Sequence, residues 1–254
     1  MAGPGPVRGR FQAVVFDLDG LLVDSAAAWL TALEATAAAL GGKLTPARLE
    51  QLAGCSVETS ARQLVRWYGA KTQLRSTTAM LRGSLDGATR TVGAPPLPGA
   101  RELVAALAGK LPMAVATNSP SQAAARMLRG AGLASFFSVV VTADDAVPKP
   151  SPDLYLLACD RLGVRPERSL AIEDSAVGAA GALAAGMGLA LVGAGADRVA
   201  ESLGLGSGGT RETPRTHGTS ATREAPESPE TQTYADLADQ RLFDWICDAV
   251  GVGC

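Results

Sequence analysis

Histidine is almost missing from this chain of 254 residues: it has one, His217, in a polar stretch. Catalysis by a Ser–His or Cys–His pair is therefore not expected, and acid–base work falls to carboxylates. Aromatic residues make up 4%, too few to build stacking platforms for single-stranded nucleic acid. The formal net charge is −2, so there is no basic excess to hold a phosphate backbone. The cysteines, Cys55, Cys159, Cys247 and Cys254, are scattered, without CxxC metal spacing or a dense disulfide framework. A reducing cytoplasm fits that usage. The opening MAGPGPVRGR is too polar and too rich in Gly and Pro to contain the apolar stretch of a secretory signal. Ala176 to Ala196 carries no charge, but it is mostly Ala and Gly, and Gly186 and Gly188 divide it into a helix followed by a strand. No membrane span is expected.

What is present is a large apolar fraction, 47%, arranged in alternating patterns. Strand-like runs recur at Ala13–Phe16, Met113–Thr117, Val139–Thr142, Ser169–Ile172 and Leu189–Val192. Helical patterns separate most of them: Ala100–Ala108, Ser121–Ala131, Asp153–Leu162 and Ser175–Ala185. Ser or Asp opens three of these and Gly closes three, as helix boundaries favour. Alternation of this kind predicts an α/β fold with a Rossmann-like parallel sheet flanked by helices. Residues 25–93 interrupt it with helical patterns alone, at Ala26–Leu40, Pro46–Ala53, Val57–Trp67 and Thr72–Thr89. They predict an inserted all-helical cap, with residues 1–24 and 94–254 forming the core. Residues 204–233 are rich in Gly, Thr, Ser, Pro, Glu and Arg and predict a flexible polar insertion, after which Tyr234–Val250 regains apolar residues that pack on the core.

The chemistry concentrates where strands end, because ligands of a parallel α/β sheet bind beyond the carboxyl ends of its strands. The first strand ends in Asp17 and Asp19, two residues apart and able to face one side of an extended chain. Gly20 lets the backbone turn and brings its amide close to an anion. The second strand ends in Thr117, Asn118 and Ser119, the third leads to Lys149 between two prolines, and the fourth ends in Glu173, Asp174 and Ser175. Phosphoryl transfer needs an in-line nucleophile, charge neutralisation and a proton for the leaving oxygen. Asp17 suits the nucleophile and Asp19 the general acid and base. Asp17 and Asp174, with the Asp19 carbonyl and either Glu173 or a water, suit Mg²⁺. Thr117 suits phosphate oxygens, and Lys149 suits the phosphate and the Asp17 carboxylate. Plainer roles exist for each: Lys149 as a loop charge, Asn118 as a turn former, Asp174 and Ser175 as helix caps. Asp144 and Asp145 read as loop or capping charges, and Asp24 as support for its turn.

The set DxDGxLxDS, the Thr after the second strand, KPxP and EDSxxG resembles the haloacid dehalogenase superfamily, in its phosphatase branch. The resemblance spans residues 11 to about 196 and implies an aspartyl-phosphate mechanism with Mg²⁺, a small helical cap and a small phosphorylated metabolite, sugar phosphate-like, as partner. It implies neither nucleic acid nor membrane; a monomer is favoured. Dehalogenases of the superfamily lack the second Asp, so Asp19 favours an oxygen leaving group. The cap loop containing Gly54 and Ser56 resembles the family's substrate-facing loop. Mutases of the beta-phosphoglucomutase type usually place an arginine after that Ser, where this chain has Val57; Arg62 lies a helical turn beyond. A mutase is the alternative reading. A non-catalytic binding protein using residues 204–233 is a further one.

Overall fold

The computed structural model describes residues 9–69, 73–205 and 231–251. Its strands are β1 (Ala13–Phe16), β2 (Met113–Thr117), β3 (Val139–Thr142), β4 (Ser169–Glu173), β5 (Gly188–Val192) and β6 (Thr231–Tyr234). They form one sheet in the order β3-β2-β1-β4-β5-β6, and every pair is parallel. Four residues suffice for β1 because all of them, Ala13 to Phe16, are buried between two helical layers.

Side chains of successive strand residues point to opposite faces, and each face has its own apolar cluster. Val14, Phe16, Val115 and Ile172 pack with α5 (Ala100–Leu107), α6 (Ser121–Gly130) and α10 (Gln240–Val250). Val15, Ala116, Ala171 and Leu189 pack with α7 (Asp153–Leu162), α8 (Ala176–Ala184) and α9 (Ala196–Ser202). The second face is lined by Ala158, Ala179 and Ala182, small residues that let helix and sheet approach closely.

Four helices lie between β1 and α5: α1 (Ala26–Ala39), α2 (Pro46–Glu50), α3 (Val57–Tyr68) and α4 (Leu74–Thr91). α1 and α3 pack on α4, and α4 reaches α6. Arg82 of α4 ties this group inward and outward at once, pairing with Glu58 of α3 and with Asp144 after β3, each at 2.6 Å.

Strand expectations match to within one residue. α2 stops at Glu50, three residues short of the expected helix, and α9 was not foreseen. Thr231–Thr233, expected in a flexible insertion, instead belong to β6 and pair with β5, a correction that polar side chains concealed on an edge strand. The rest of that expectation, residues 206–230, lies outside the described residues, as does His217. The Tyr234–Val250 segment does return to the core: Leu242, Ile246 and Val250 are fully buried. Among the described residues no helix is long and apolar enough to cross a membrane.

Ile246→Ala is expected to cost about 2–4 kcal/mol in urea unfolding, the range for truncating a buried aliphatic chain. A loss near zero would show that α10 lies outside the cooperative core.

Candidate active site

Strand order reverses between β1 and β4: the chain runs outward through β2 and β3 on one side and through β5 and β6 on the other. Such a switch point opens a crevice at the carboxyl edge of the sheet. Asp17 leaves β1 there, and Glu173 and Asp174 leave β4 beside it. Lys149 comes over from the loop after β3. Its ammonium lies 2.6 Å from Asp17 Oδ1 and 2.6 Å from Glu173 Oε1. The Tyr155 hydroxyl also donates to Glu173 Oε1, and the Tyr155 ring stands 4.9 Å from Lys149 Nζ. Glu173 Oε2 accepts from the backbone amides of Asp174 and Ser175 and from Ser175 Oγ, so both of its oxygens are engaged.

Asp19 faces a different set of donors. Its Oδ2 accepts from Thr117 Oγ1 at 2.9 Å and Ser119 Oγ at 2.7 Å, on the loop after β2. Its Oδ1 accepts from Ser25 Oγ at 2.6 Å and Trp29 Nε1 at 3.0 Å, at the start of α1. Ser25 precedes α1 as its cap residue, yet its hydroxyl makes no capping bond because it is turned to Asp19. Asn118 clamps three loops: its Oδ1 accepts from the Lys149 amide, and its Nδ2 donates to the carbonyls of Lys149 and Gly54.

The charges do not cancel. Four carboxyl groups, those of Asp17, Asp19, Glu173 and Asp174, surround one ammonium. Burial, then the charges of Glu173 and Asp19, overcome Lys149 and push the Asp17 carboxyl up to about 7. Asp174 is raised well above the carboxylate range, first by burial and then by Asp17 and Glu173. Burial pulls Lys149 down, but Asp17 and Glu173 outweigh it and the net direction is up. Asp17, Glu173 and Asp174 offer oxygens within 4.8 Å of one another. Asp174 Oδ1 is buried with no hydrogen-bond partner. Gly20, at φ +80°, has Asp174 Oδ2 2.3 Å from where a Cβ would stand, so no larger residue fits without moving that carboxylate. An unpartnered buried carboxylate oxygen in an all-oxygen acidic set suits a hard divalent cation such as Mg²⁺.

These groups open into one cavity of about 760 Å³. Asp17, Asp19, Gly20, Gly54, Thr117 and Asn118 line it, as do Lys149 and Asp174. Glu173 sits behind that surface, fully buried. Ser56 does not reach it: its side chain caps α3, accepting from the Thr59 amide and bonding Thr59 Oγ1. Val57 is buried at the start of α3, and Arg62 is exposed outside the cavity lining. Asp144 and Asp145 serve as loop charges: Asp144 accepts from the Ser121 amide at the start of α6, and Asp145 from Thr142 and Arg161. Ser175, not Asp174, caps α8 through the Gly178 amide. Ser25, Trp29 and Tyr155 join the site without any expectation from sequence of the contacts they make, and Ser119, expected only as a strand-end residue, holds Asp19. Their contacts join residues up to 100 positions apart, and no local pattern marks them.

This chain belongs to the haloacid dehalogenase-like hydrolase family, whose model matches residues 11–186. It is 31% identical to the fructose-1-phosphate phosphatase YqaB of Escherichia coli (strain K12), over 70% of this chain and 94% of that protein. It is 35% identical to a phosphoglycolate phosphatase of Yersinia pseudotuberculosis serotype I (strain IP32953), over 65% of this chain and 73% of the other. In fold it is similar to a beta-phosphoglucomutase from Clostridium difficile, with a TM-score of 0.72 at 19% identity, covering 95% of this chain and 97% of that one.

The raised carboxyls carry a stability consequence. The folded state keeps the Asp17 proton up to about pH 7, against 3.8 ordinarily. That contribution is complete below the unfolded value and is lost as pH rises through about 7. In chelator at pH 8, Asp174→Asn is therefore expected to raise the melting temperature by roughly 3–6 °C, and by less at pH 5.5. Equal melting temperatures at pH 8 would show that the carboxylates do not strain the metal-free fold.

Proposed function

We propose that this protein hydrolyses a small phosphomonoester, sugar phosphate-like in size, through an aspartyl-phosphate on Asp17. The observation that carries the reading is the pairing of Asp17 with buried Lys149 at the floor of a cavity that Asp19 also lines. An Asp17 carboxylate oxygen attacks phosphorus, and the bond from phosphorus to the ester oxygen breaks. Asp19 gives its proton to the departing alcohol oxygen. Asp19 then takes a proton from water as that water attacks phosphorus, the acyl-phosphate bond breaks, and inorganic phosphate and the Asp17 carboxylate are restored. Lys149 orients the Asp17 carboxyl, opposes the rise that burial and the neighbouring acids impose on it, and neutralises phosphoryl charge. Thr117, which lines the cavity, receives phosphate oxygens; Gly20 contributes its tight turn, its own amide being spent on the Val23 carbonyl. Asn118 is a positioning residue, because its amide is spent on the backbone of Lys149 and Gly54. Gly54 brings the loop before α3 against Ser175, which a Cβ would approach to 3.2 Å.

Mg²⁺ held by Asp17, Asp174 and the Asp19 carbonyl, with Glu173 behind them, would offset the charge of the phosphoryl oxygens. Residues 25–93 act as a cap that shelters the reacting groups from water, with the described residues of the segments 1–24 and 94–254 as the core beneath it. The enzyme works as a cytoplasmic monomer on a soluble metabolite. Phosphatase is favoured over mutase because Val57 is buried and Arg62 lies outside the cavity, so neither offers a second phosphate a cation.

Phosphate release from a panel of phosphomonoesters, with and without Mg²⁺, tests the reading. Release that needs Mg²⁺ and is abolished in Asp17→Asn is expected. Isomerisation of glucose 1-phosphate with a bisphosphate primer, and no release, would make the protein a mutase. Silence in both assays would return it to the binding-protein class. Trp29→Phe keeps the ring volume but removes a donor from Asp19, and is expected to lower kcat about tenfold with little change in KM. An unchanged kcat would show that Trp29 serves only as wall.

A further inference from the structure

The part of the cavity remote from Asp17 is built almost without charge. α1 supplies Trp29, Leu30 and Leu33, α2 and the loop after it supply Leu49 and Leu52, and α9 supplies Val199. Leu30 stays 39% exposed and so presents apolar surface at the cavity. Three of the polar groups on this wall are already used. Gln51 Nε2 donates to the Ala47 carbonyl, the Cys55 thiol to the Gln51 carbonyl, and Asn118 Nδ2 to the Gly54 carbonyl.

Among the lining residues Lys149 is the one cation, and it sits at the floor between Asp17 and Glu173. Arg48, the nearest basic residue in sequence to the wall segment 49–55, is turned onto aromatic rings, 5.1 Å from Trp67 and 4.7 Å from Tyr68. The charged side chain that does face the cavity from α2 is Glu50, an anion. A carboxylate or second phosphate on the substrate would meet leucine side chains and Glu50, lose its hydration and, among the described residues, gain no cation in return. A carbon framework laid on Trp29 and the leucines would release water from both surfaces.

We propose that this site selects its substrate by the leaving group: it takes phosphomonoesters of uncharged alcohols that present an apolar face, and rejects those bearing a second anion. The inference rests on the phosphatase reading above. It sets this chain apart from its phosphoglycolate phosphatase relatives, whose named substrate carries a carboxylate. A cyclic sugar monophosphate satisfies it, with its C–H face against Trp29.

The test compares 2-phosphoglycolate with its methyl ester, which differ in charge and little in size, using the full-length protein with Mg²⁺. Acetyl phosphate serves as a small general substrate. The methyl ester is expected to exceed the acid in kcat/KM by about tenfold or more. Leu30→Arg, which adds a cation at an exposed wall position, is expected to bring that ratio to about one or below. Circular dichroism and a thermal melt report whether the variant folds. Equal or better turnover of phosphoglycolate by the wild-type protein overturns the inference and leaves the phosphatase reading intact. A folded Leu30→Arg variant with an unchanged ratio also overturns it, because the leaving group then does not face α1. Absence of release from every ester and from the acyl phosphate alike removes the phosphatase reading and the inference together.

Discussion

The Lys149 ammonium between Asp17 and Glu173 is the contact on which the rest of the site depends. It joins the ends of β1 and β4 to the loop after β3 through two ion pairs of 2.6 Å. A lysine this buried is tolerable only with such partners, because an unpaired charge in a low-dielectric interior is costly. The reverse also holds: without Lys149, three carboxyl groups would meet in the same buried space. Tyr155 and the amides after β4 complete the arrangement by occupying Glu173, which leaves Asp17 and Asp174 as the members of this acidic cluster that face the cavity. The pair therefore sets both the electrostatics of the floor and the relative position of three loops.

Asp19 is held by a second and separate arrangement. One oxygen is held from the core by Thr117 and Ser119, the other from the helical segment by Ser25 and Trp29. Its orientation thus depends on how α1 sits over the sheet, which couples the helices between β1 and α5 to the chemistry beneath them. The surplus of negative charge around Asp174 follows from the same design. A site prepared for a divalent cation carries unbalanced acid groups in its absence, and stability is given up locally for function.

Much of the architecture was readable from pattern. β1, β2 and β3 fall where buried apolar runs place them, since a strand covered on both faces must be continuously apolar. β6 was not readable, because Thr231–Tyr234 is a polar edge strand whose pairing with β5 leaves no apolar signature. Ser121 illustrates a subtler miss. It has the residue type of a helix cap, yet Asp144, from the loop after β3, accepts its amide. Capping by a distant side chain satisfies the same donor and leaves no local trace.

By itself the sequence determined which chemical groups arrive at the sheet edge, because strand ends, the glycine turn and the acidic pairs are local features of the chain. Asp17, Asp19, Thr117, Lys149 and Asp174 follow from that, and so does the family. Only the tertiary structure decided which of those groups touch and what faces them. The Glu173 side chain withdrew behind Lys149, Ser56 turned to its own helix, and Trp29 reached Asp19. The same holds for the apolar wall, assembled from α1, α2 and α9, whose leucines and valine are indistinguishable in sequence from core residues. Contacts between segments that are far apart along the chain depend on packing direction, and no local pattern encodes that direction.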